Sequence, residues 1–370
     1  MPNLTVLLPG CKSTTQRSLI CAVMGDKKIV LQGVSDADDC RQLRLGLQAL
    51  GASIGPAGET HAWLIEGCAG DLPIKQATID CQDGGTTFRF LLAICATQAG
   101  VYTLQVSKQL ARRPHSQLFE VLREMNVDIT EVADGWVVDS RNWRACDVSV
   151  DCDISSQFLS ALTLSQVFNK KFVASCSSKE ASLPYYKLTQ KVIADFAPPI
   201  ASYAIPGDFS AAMYFAGLAI VREKDIEFTN GCDTQHPEKY ALGFLQDHFG
   251  LQVAGKSISV RPNVHKPTAT LRYDVQCAPD ASLLIAAVCR VQKVAVQFVN
   301  SEVLRYKESD RLVALESLEK CETEIDSCND HRVVMAAAVL QLQNTQLRVN
   351  DSECVSKSFP NFFKEWSSVN

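Results

Sequence analysis

The chain has 370 residues, 46% of them hydrophobic and 21% charged, and a net charge of −5 at pH 7. This length exceeds what one hydrophobic core usually serves, so we expect two domains. The acidic balance argues against a general surface for nucleic acid or anionic membranes, and no apolar run is long enough to span a bilayer. Because the start of the chain does not have the pattern of a secretory signal, we expect a cytoplasmic protein without nucleic-acid or membrane partners.

Fifteen cysteines are spread along the chain, and no two of them have C-x-x-C spacing. No group of histidines and cysteines has the spacing of zinc ligands either. Dispersed thiols among Val, Ala and Leu are typical of small core residues in a reducing compartment. We therefore expect neither a bound metal nor a redox dithiol.

The first motif in chain order is LPGCKSTTQRSL, residues 8–19. A nucleotide-binding P-loop has glycine directly before the lysine and another glycine five residues before that one. Cys11 and Val6 occupy those two places, so the motif does not predict ATP or GTP binding. A Gly-Cys-Lys-Ser turn at a helix start still offers backbone N–H donors and a positive dipole end, which suit a phosphate or a carboxylate.

A polar or glycine turn leads into an Ala- and Leu-rich helical segment six times, starting at Pro9, Cys81, Asp151, Pro206, Ala278 and Cys328. Short β-rich runs such as KKIVLQGV and second helices such as DCRQLRLGLQALG lie between these segments. In that second helix Leu43, Leu45, Leu47 and Leu50, with Ala49, should form one mainly apolar face. Helices as apolar as LLIAAVCRV and VVMAAAVL should be buried on most sides. Six such starts predict helix N-termini that converge on anion sites, although ordinary helix capping is the alternative.

The second repeat contains Gly84-Gly85-Thr86-Thr87-Phe88-Arg89, in which glycines let the backbone approach a ligand and Arg89 lies one turn further on. The alternative is a plain junction between loop and helix with a surface arginine. Arg112-Arg113-Pro114-His115 adds two guanidiniums at a predicted helix start. By itself such a segment is more often a solvated face.

The strongest cluster is LRYKESDRLVALESLEK, residues 304–320, where Leu312, Leu315 and Leu318 mark an apolar stripe. If Lys307 and Arg311 are both helical, they lie on one face four residues apart. Like charges at this spacing cost a few tenths of a kcal/mol unless an anion lies between them. The alternative is a surface network in which Glu308 and Asp310 neutralise them.

Three further sites complete the pattern: Asp280 after Pro279, the run Asp330-His331-Arg332, and Lys357 before Ser358-Phe359-Pro360. Asp280 alone would more often cap its helix. The order of all these segments resembles the 5-enolpyruvylshikimate-3-phosphate (EPSP) synthase family. The resemblance runs from Leu8 to about Phe363 and is carried by LPGCKSTTQRSL, DGGTTFRFL, ARRP, SSQFLSAL, SLPYY, PGDFSAAMYFAGLAI, PDASLLIAA, YKESDRL, DHRVVMAAAVL and VSKSFPNFF.

This resemblance implies an α/β (α+β) fold, a two-domain inside-out α/β barrel in which each domain has three βαβαββ repeats. It implies one domain over residues 12–206, with most shikimate 3-phosphate contacts, and a second over 1–11 and 207–370. The second would carry Asp280, the KESDR segment and the C-terminal phosphoenolpyruvate contacts. The active site is expected in the cleft between the domains.

The implied reaction transfers the enolpyruvyl group of phosphoenolpyruvate to the 5-hydroxyl of shikimate 3-phosphate and releases phosphate, without metal or cofactor. The implied catalytic groups are Lys12 as acid, and Asp280 and Glu308 as carboxylates that orient or deprotonate the hydroxyl. The implied contacts to shikimate 3-phosphate are Lys12, Ser13, Arg17, Ser155, Ser156, Gln157, Ser182, Tyr185, Asp280 and Lys307. The implied contacts to phosphoenolpyruvate are Lys12, Gly85, Arg89, Arg113, Gln157, Arg311, Arg332 and Lys357. The family also suggests a monomer.

The sequence departs from the family pattern at Cys11, where serine is usual, at Asp83-Gly84, at Leu183 and at Val303. These changes bear on affinity and inhibitor response more than on reaction type. Glycine at position 85 leaves the space that glyphosate uses in sensitive members, so glyphosate sensitivity is a hypothesis. Two alternatives stay open: enolpyruvyl transfer to UDP-N-acetylglucosamine, and a catalytically silent relative that only binds anions.

Overall fold

A computed structural model describes residues 4–167, 170–178, 183–233, 236–260 and 267–370. The chain forms two compact units. The central unit comprises Lys12–Ile205, and the terminal unit comprises Met1–Cys11 together with Pro206–Asn370. The chain therefore passes from one unit to the other at two places, between Cys11 and Lys12 and between Ile205 and Pro206.

The described residues form α-helices with the following bounds: α1 (Lys12–Met24), α2 (Asp38–Ala49), α3 (Gly85–Ala96), α4 (Lys108–Ala111), α5 (Ser116–Glu124), α6 (Gln157–Ser165), α7 (Pro184–Asp195), α8 (Phe209–Arg222), α9 (Lys239–Phe249), α10 (Ser282–Gln292), α11 (Arg311–Lys320), α12 (His331–Gln341) and α13 (Phe362–Val369). Short 3-10 helices cover Pro279–Ala281, Ser301–Tyr306 and Ser352–Lys357. All six predicted turn-to-helix segments are helical.

The strands are β1 (Leu4–Val6), β2 (Lys28–Gln32), β3 (Ser53–Pro56), β4 (Ala62–Glu66), β5 (Gln76–Asp80), β6 (Val101–Gln105), β7 (Asp128–Val132), β8 (Gly135–Asp139), β9 (Val148–Val150), β10 (Ala174–Cys176), β11 (Ser202–Ala204), β12 (Ile226–Phe228), β13 (Leu251–Ala254), β14 (Ser257–Val260), β15 (Leu271–Asp274), β16 (Val296–Val299), β17 (Glu324–Ile325) and β18 (Arg348–Val349). The mixture of helices and sheets confirms the predicted α/β class.

Each unit contains three sheets in its described residues. The central unit has the sheets β11-β2-β4-β3, β5-β6-β8-β7 and β9-β10, and the terminal unit has β1-β12-β14-β13, β15-β16 and β17-β18. Every four-stranded sheet begins with a parallel pair, such as Gln76↔Val101, and continues with antiparallel neighbours. The two-stranded sheets are parallel pairs. Three repeats thus contain an antiparallel hairpin that the other three do not show in the described residues.

The core of the terminal unit is a layer of three helices, α8, α10 and α12, that pack against one another. Almost every residue of these helices is buried, which confirms the expectation for LLIAAVCRV and VVMAAAVL. Gly217 of α8 allows this close approach, because a Cβ there would lie 2.9 Å from Leu284 and 3.2 Å from Val288 of α10. In the central unit α3 packs closely against α6, and α1 packs against α2 and α7. None of the helices in the described ranges is both long and apolar enough to cross a membrane.

One prediction of local structure is wrong, and one condition set by the sequence analysis is not met. In α2, Leu45 is 45% exposed and Ala49 is also exposed, whereas Leu43, Leu47 and Leu50 are buried. Leu45 follows Leu43 by two residues, about 200° around a helix, so the two point to opposite sides. Lys307 is not helical: its backbone is extended, between the 3-10 helix Ser301–Tyr306 and α11, so Lys307 and Arg311 do not share a helical face.

Candidate active site

The Gly-Cys-Lys-Ser turn lies directly before α1, and Lys12 is the first residue of that helix. The Nζ atom of Lys12 donates a hydrogen bond of 2.8 Å to Oδ2 of Asp39, at the start of α2. Gln16, one turn after Lys12, donates to the Thr87 hydroxyl at 3.0 Å, and that hydroxyl donates to the Asp39 carbonyl at 2.8 Å. Asp39 was missed from the sequence, because an acidic residue at a helix start is ordinary.

Arg17 lies on the inner side of α1, and only 1% of its surface is exposed. Its guanidinium donates to the Thr189 hydroxyl at 2.8 Å and to the Ser13 carbonyl at 2.9 Å. The guanidinium also lies over the ring of Phe90, 5.4 Å from its centroid. The predicted shikimate-phosphate contact Tyr185 is close by, since its carbonyl accepts from Arg17 at 3.4 Å.

Arg89 lies in α3 with only 1% of its surface exposed. Its Nη1 donates to the Gln157 side-chain oxygen at 2.5 Å, and Nη2 donates to the Pro114 carbonyl at 3.1 Å. Its Nε is buried and has no hydrogen-bond partner among the described residues. Burial, and secondly the charge of Arg113, hold the pKa of Arg89 well below its usual range. Arg89 is therefore a cation in a site that disfavours its charge.

Arg113 lies against the N-terminus of α3. A Cβ at Gly85 would lie 2.9 Å from Cζ of Arg113, and closer still to Nη1, so only glycine leaves room for this guanidinium. Arg113, Arg89 and Gln157, three predicted phosphoenolpyruvate contacts, thus belong to one neighbourhood of the central unit. An anion that enters this neighbourhood would relieve the repulsion between two guanidiniums.

Two other predicted contacts precede α6, where the Ser155 hydroxyl accepts from the Gln157 N–H at 3.3 Å. Ser155 and Ser156 are both partly exposed. Ser182 lies outside the described residues. In the described residues of the central unit, the predicted contacts thus form two groups. Arg17 joins Ser13 of α1 to Tyr185 of α7. Gly85, Arg89, Arg113 and Gln157 lie around the N-termini of α3 and α6.

In the terminal unit, Asp280 lies in the 3-10 helix just before α10. Its Oδ1 accepts from Nη1 of Arg311 at 2.8 Å, and its Oδ2 lies 3.2 Å from Nη2 of Arg332. Burial by itself would raise the pKa of Asp280. The positive charges of Arg332, Arg311 and Lys307 outweigh burial and hold this pKa well below its usual range.

Asp330 caps α12 and is completely buried. Its two carboxylate oxygens accept from Nε and Nη2 of Arg311 at 2.7 and 3.0 Å, a bidentate pair. The Ser309 hydroxyl also donates to Asp330 at 3.0 Å. Arg311 thus joins Asp330 to Asp280, and Asp330 is a member of this cluster that the predicted site residues did not include. The feature of the sequence that could have indicated Asp330 is its place two residues before Arg332.

Glu308 lies between two basic side chains. Its Oε1 accepts from Nζ of Lys357 at 2.9 Å, and its Oε2 lies 2.8 Å from Nδ1 of His331. Lys357 also donates to the Asn329 carbonyl at 2.6 Å. Ligand atoms of Glu308, Asp330 and His331 lie within 4.8 Å of one another, a spacing that a metal ion could use. Because Lys357 and Arg311 already neutralise the two carboxylates, this group fits an ion-pair network better than a metal centre.

The two units therefore supply complementary chemistry. The central unit holds buried guanidiniums beside helix N-termini, and the terminal unit holds carboxylates that fixed cations keep ionised. Fixed cations and ionised carboxylates are groups that suit an enzyme which binds small anions and stabilises charge during group transfer.

The chain matches the family described as EPSP synthase (3-phosphoshikimate 1-carboxyvinyltransferase) over residues 3–203, 198–325 and 316–366, and it belongs to this family. The 3-phosphoshikimate 1-carboxyvinyltransferase of Ralstonia nicotianae is 26% identical over 422 residues, which cover 99% of this chain and 96% of that protein. The protein of the same name from Dehalococcoides mccartyi is 26% identical over 409 residues, which cover 100% and 96%.

Two solved structures share the fold. EPSP synthase from Acinetobacter baumannii has a TM-score of 0.73 at 17% identity, over 99% of this chain and 95% of that one. The enolpyruvyl transferase NikO from Streptomyces tendae has a TM-score of 0.67 at 14% identity, over 100% and 94%. These likenesses confirm the predicted fold.

Proposed function

We propose that this chain is an enzyme that transfers the enolpyruvyl group of phosphoenolpyruvate to the 5-hydroxyl of shikimate 3-phosphate. The observation that carries this proposal is membership of the EPSP synthase family along nearly the whole chain. The products are 5-enolpyruvylshikimate 3-phosphate and phosphate. The reaction belongs to the shikimate pathway of aromatic biosynthesis.

Shikimate 3-phosphate is proposed to contact Lys12, Ser13 and Arg17 of α1, with Ser155, Ser156, Gln157, Ser182 and Tyr185, and to meet Asp280 and Lys307 of the terminal unit. Phosphoenolpyruvate is proposed to contact Lys12, Gly85, Arg89, Arg113, Gln157, Arg311, Arg332 and Lys357. The burial of Arg17 and Arg89 supports these assignments, because a buried guanidinium gains most from a substrate that brings negative charge.

The proposed chemistry is addition followed by elimination. In the addition, the 5-hydroxyl loses its proton as its oxygen bonds to C2 of phosphoenolpyruvate, and the electron pair of the C2–C3 double bond takes up a proton at C3. In the elimination, C3 loses a proton, the C2–C3 double bond forms again, and the C2–O bond to phosphate breaks. Lys12 is the candidate acid. Because its pKa is so low, Asp280 is a weak base. We therefore assign it to orient the hydroxyl, and we assign proton transfer to Glu308, whose contacts with Lys357 and His331 offer proton donors.

The remaining expectations stay proposals. These are a cytoplasmic monomer without metal or cofactor, in which residues of both units act on the same two substrates. The acidic composition supports the expectation that neither nucleic acid nor a membrane is a partner.

The decisive experiment measures phosphate release from phosphoenolpyruvate with shikimate 3-phosphate or UDP-N-acetylglucosamine as acceptor, in the wild type and in Asp280→Ala. We expect release only with shikimate 3-phosphate, and a fall in kcat of about 100-fold in the variant because the hydroxyl is no longer oriented. Release only with UDP-N-acetylglucosamine would show that this compound, and not shikimate 3-phosphate, accepts the enolpyruvyl group. A folded protein that binds shikimate 3-phosphate and releases no phosphate would be a silent relative.

A further inference from the structure

We propose that Glu238 and Tyr273 are positioning residues that hold the two ends of the turn Ala278–Ala281 and so fix the carboxylate of Asp280. Neither residue is among the predicted site residues. The inference rests on the proposed function of Asp280. It concerns residues that affect the reaction only through the position of Asp280.

Glu238 holds the end of the turn that leads into α10. Its Oε2 accepts a hydrogen bond of 3.0 Å from the backbone N–H of Ala281, the residue directly after Asp280. Only 1% of Glu238 is exposed, so this bond forms in a site that solvent does not reach. A charge-assisted bond from a buried carboxylate to a peptide N–H is stronger than a bond between neutral groups.

The position of Glu238 is itself well supported. It directly precedes α9, and its own N–H donates to Nδ1 of His236 at 3.2 Å. The His236 ring stacks on Phe209 with centroids 5.2 Å apart. Burial lowers the pKa of His236 to about 4, which leaves the ring neutral near pH 7 and able to accept this bond.

Tyr273 holds the other end of the turn. Its hydroxyl donates a hydrogen bond of 2.8 Å to the carbonyl of Ala278, the residue before Pro279. The ring is fully buried and lies 5.2 to 5.3 Å from the rings of Phe244 and Tyr240. Burial, and then the nearby Glu238, raise the pKa of Tyr273 well above its usual range, so the hydroxyl keeps its proton.

Glu238 and Tyr273 thus form hydrogen bonds to the backbone of a four-residue turn, one after Asp280 and one before it. The carboxylate of Asp280 faces Arg311 and Arg332 at 2.8 and 3.2 Å, a geometry that a small shift of the turn would break. Displacement of a positioned group by about 1 Å can cost about 100-fold in rate. Loss of either hydrogen bond should therefore lower kcat more than it raises KM.

The test compares Glu238→Ala, Glu238→Gln and Tyr273→Phe, with Tyr102→Phe as the matched control. Tyr102 is a fully buried tyrosine of the central unit whose hydroxyl donates to the carbonyls of Ile74 and Gln98 at long distances of 3.5 Å. We measure kcat and KM for both substrates, the pH profile of kcat, and unfolding in urea. We expect Glu238→Ala to lose about 100-fold in kcat, Tyr273→Phe about tenfold, and Tyr102→Phe less than about twofold.

Two readouts separate positioning from simple loss of stability. Glu238→Gln keeps an oxygen that can accept from Ala281 and should recover much of the lost kcat. In Glu238→Ala, Asp280 moves away from its guanidiniums, so its pKa rises and the acid limb of the kcat profile shifts to higher pH. A variant that is only less stable would have a lower kcat at every pH, without this shift of the acid limb.

The proposal is overturned if Tyr273→Phe matches Tyr102→Phe in kcat, or if a folded Glu238→Ala keeps both the wild-type kcat and the wild-type pH profile. Tyr273→Phe decides the question even if Glu238→Ala does not fold. A different failure, in which Asp280→Ala stays fully active, would instead remove the proposed function of Asp280. The two failures are therefore distinguishable in one set of assays.

Discussion

Two buried arginines, one in each unit, differ in what surrounds their charge. Arg89 of the central unit donates to an amide oxygen and a carbonyl, and the pKa of its guanidinium is lowered by burial and by Arg113. Arg311 of the terminal unit donates to the carboxylates of Asp280 and Asp330. Burial would lower the pKa of Arg311, but these carboxylates raise it above its usual range.

The difference separates two uses of the same residue type. A buried guanidinium next to a second guanidinium is electrostatically incomplete and gains from an incoming anion. A buried guanidinium between two carboxylates is already neutralised, so its main effect is to hold those carboxylates in place. We infer that Arg89 mainly recognises substrate, and that Arg311 also builds the site around Asp280.

The largest expected effect concerns the stability of Arg311→Met. Loss of this side chain leaves Asp330 buried without its bidentate partner, which should cost about 3–5 kcal/mol of unfolding free energy. Arg89→Met should cost much less, because the partners of Arg89 are neutral oxygens. Urea denaturation of both variants at pH 7 measures this directly. Equal losses of unfolding free energy in the two variants would contradict the difference proposed between Arg89 and Arg311.

The next effect concerns substrate affinity in Arg89→Met. A hydrogen bond to a charged group contributes about 1.5–3 kcal/mol, so KM for phosphoenolpyruvate should rise by roughly 10- to 100-fold. KM for shikimate 3-phosphate should change less. Arg141→Met is the matched control, since Arg141 forms an exposed ion pair with Asp139 in the same unit. An unchanged KM for phosphoenolpyruvate would remove Arg89 from the proposed site.

A smaller effect is expected for Gly85→Ala. The added Cβ would lie 2.9 Å from Cζ of Arg113, so this guanidinium must move. Overpacking of this kind costs about 1 to 3 kcal/mol, and we expect KM for phosphoenolpyruvate to rise about tenfold with kcat less affected. Gly243→Ala is the control, because a Cβ at Gly243 meets nothing within 4 Å. A fall in kcat at constant KM would show that Arg113 acts on the chemical step instead.

The last effect is a pH dependence of stability, which is small for each pH unit. Burial, and secondly Arg89, lower the pKa of His115 to about 3. The unfolded chain takes up this proton near pH 6.5, so it binds more protons than the folded chain between these values, and stability falls as pH falls. The expected slope is about 1.4 kcal/mol per pH unit for this residue. Urea unfolding from pH 6.5 to 4 should show a shallower slope in His115→Gln, and equal slopes would contradict this assignment.

Much of the fold was predictable because its signals are local. The six turn-to-helix segments and the burial of α10 and α12 follow from apolar residues around the whole helix. The prediction for Leu45 is wrong because residues two apart in a helix lie about 200° apart around its axis, so Leu45 cannot share the buried face of Leu43. Lys307 and Arg311 do not share a helical face because residues 307–310, which include the capping residue Asp310, lie before α11 begins.

The sequence by itself determined the family and the reaction class, since these depend on motifs whose order along the chain is specific. Only the tertiary structure showed that Asp39 pairs with Lys12, that Asp330 joins Arg311, and that Glu238 reaches Ala281. These partners are separated by 19 to 43 residues. Their contacts depend on how helices and turns pack, and the free energy of an ion pair depends on burial and distance, which no local pattern of residues encodes.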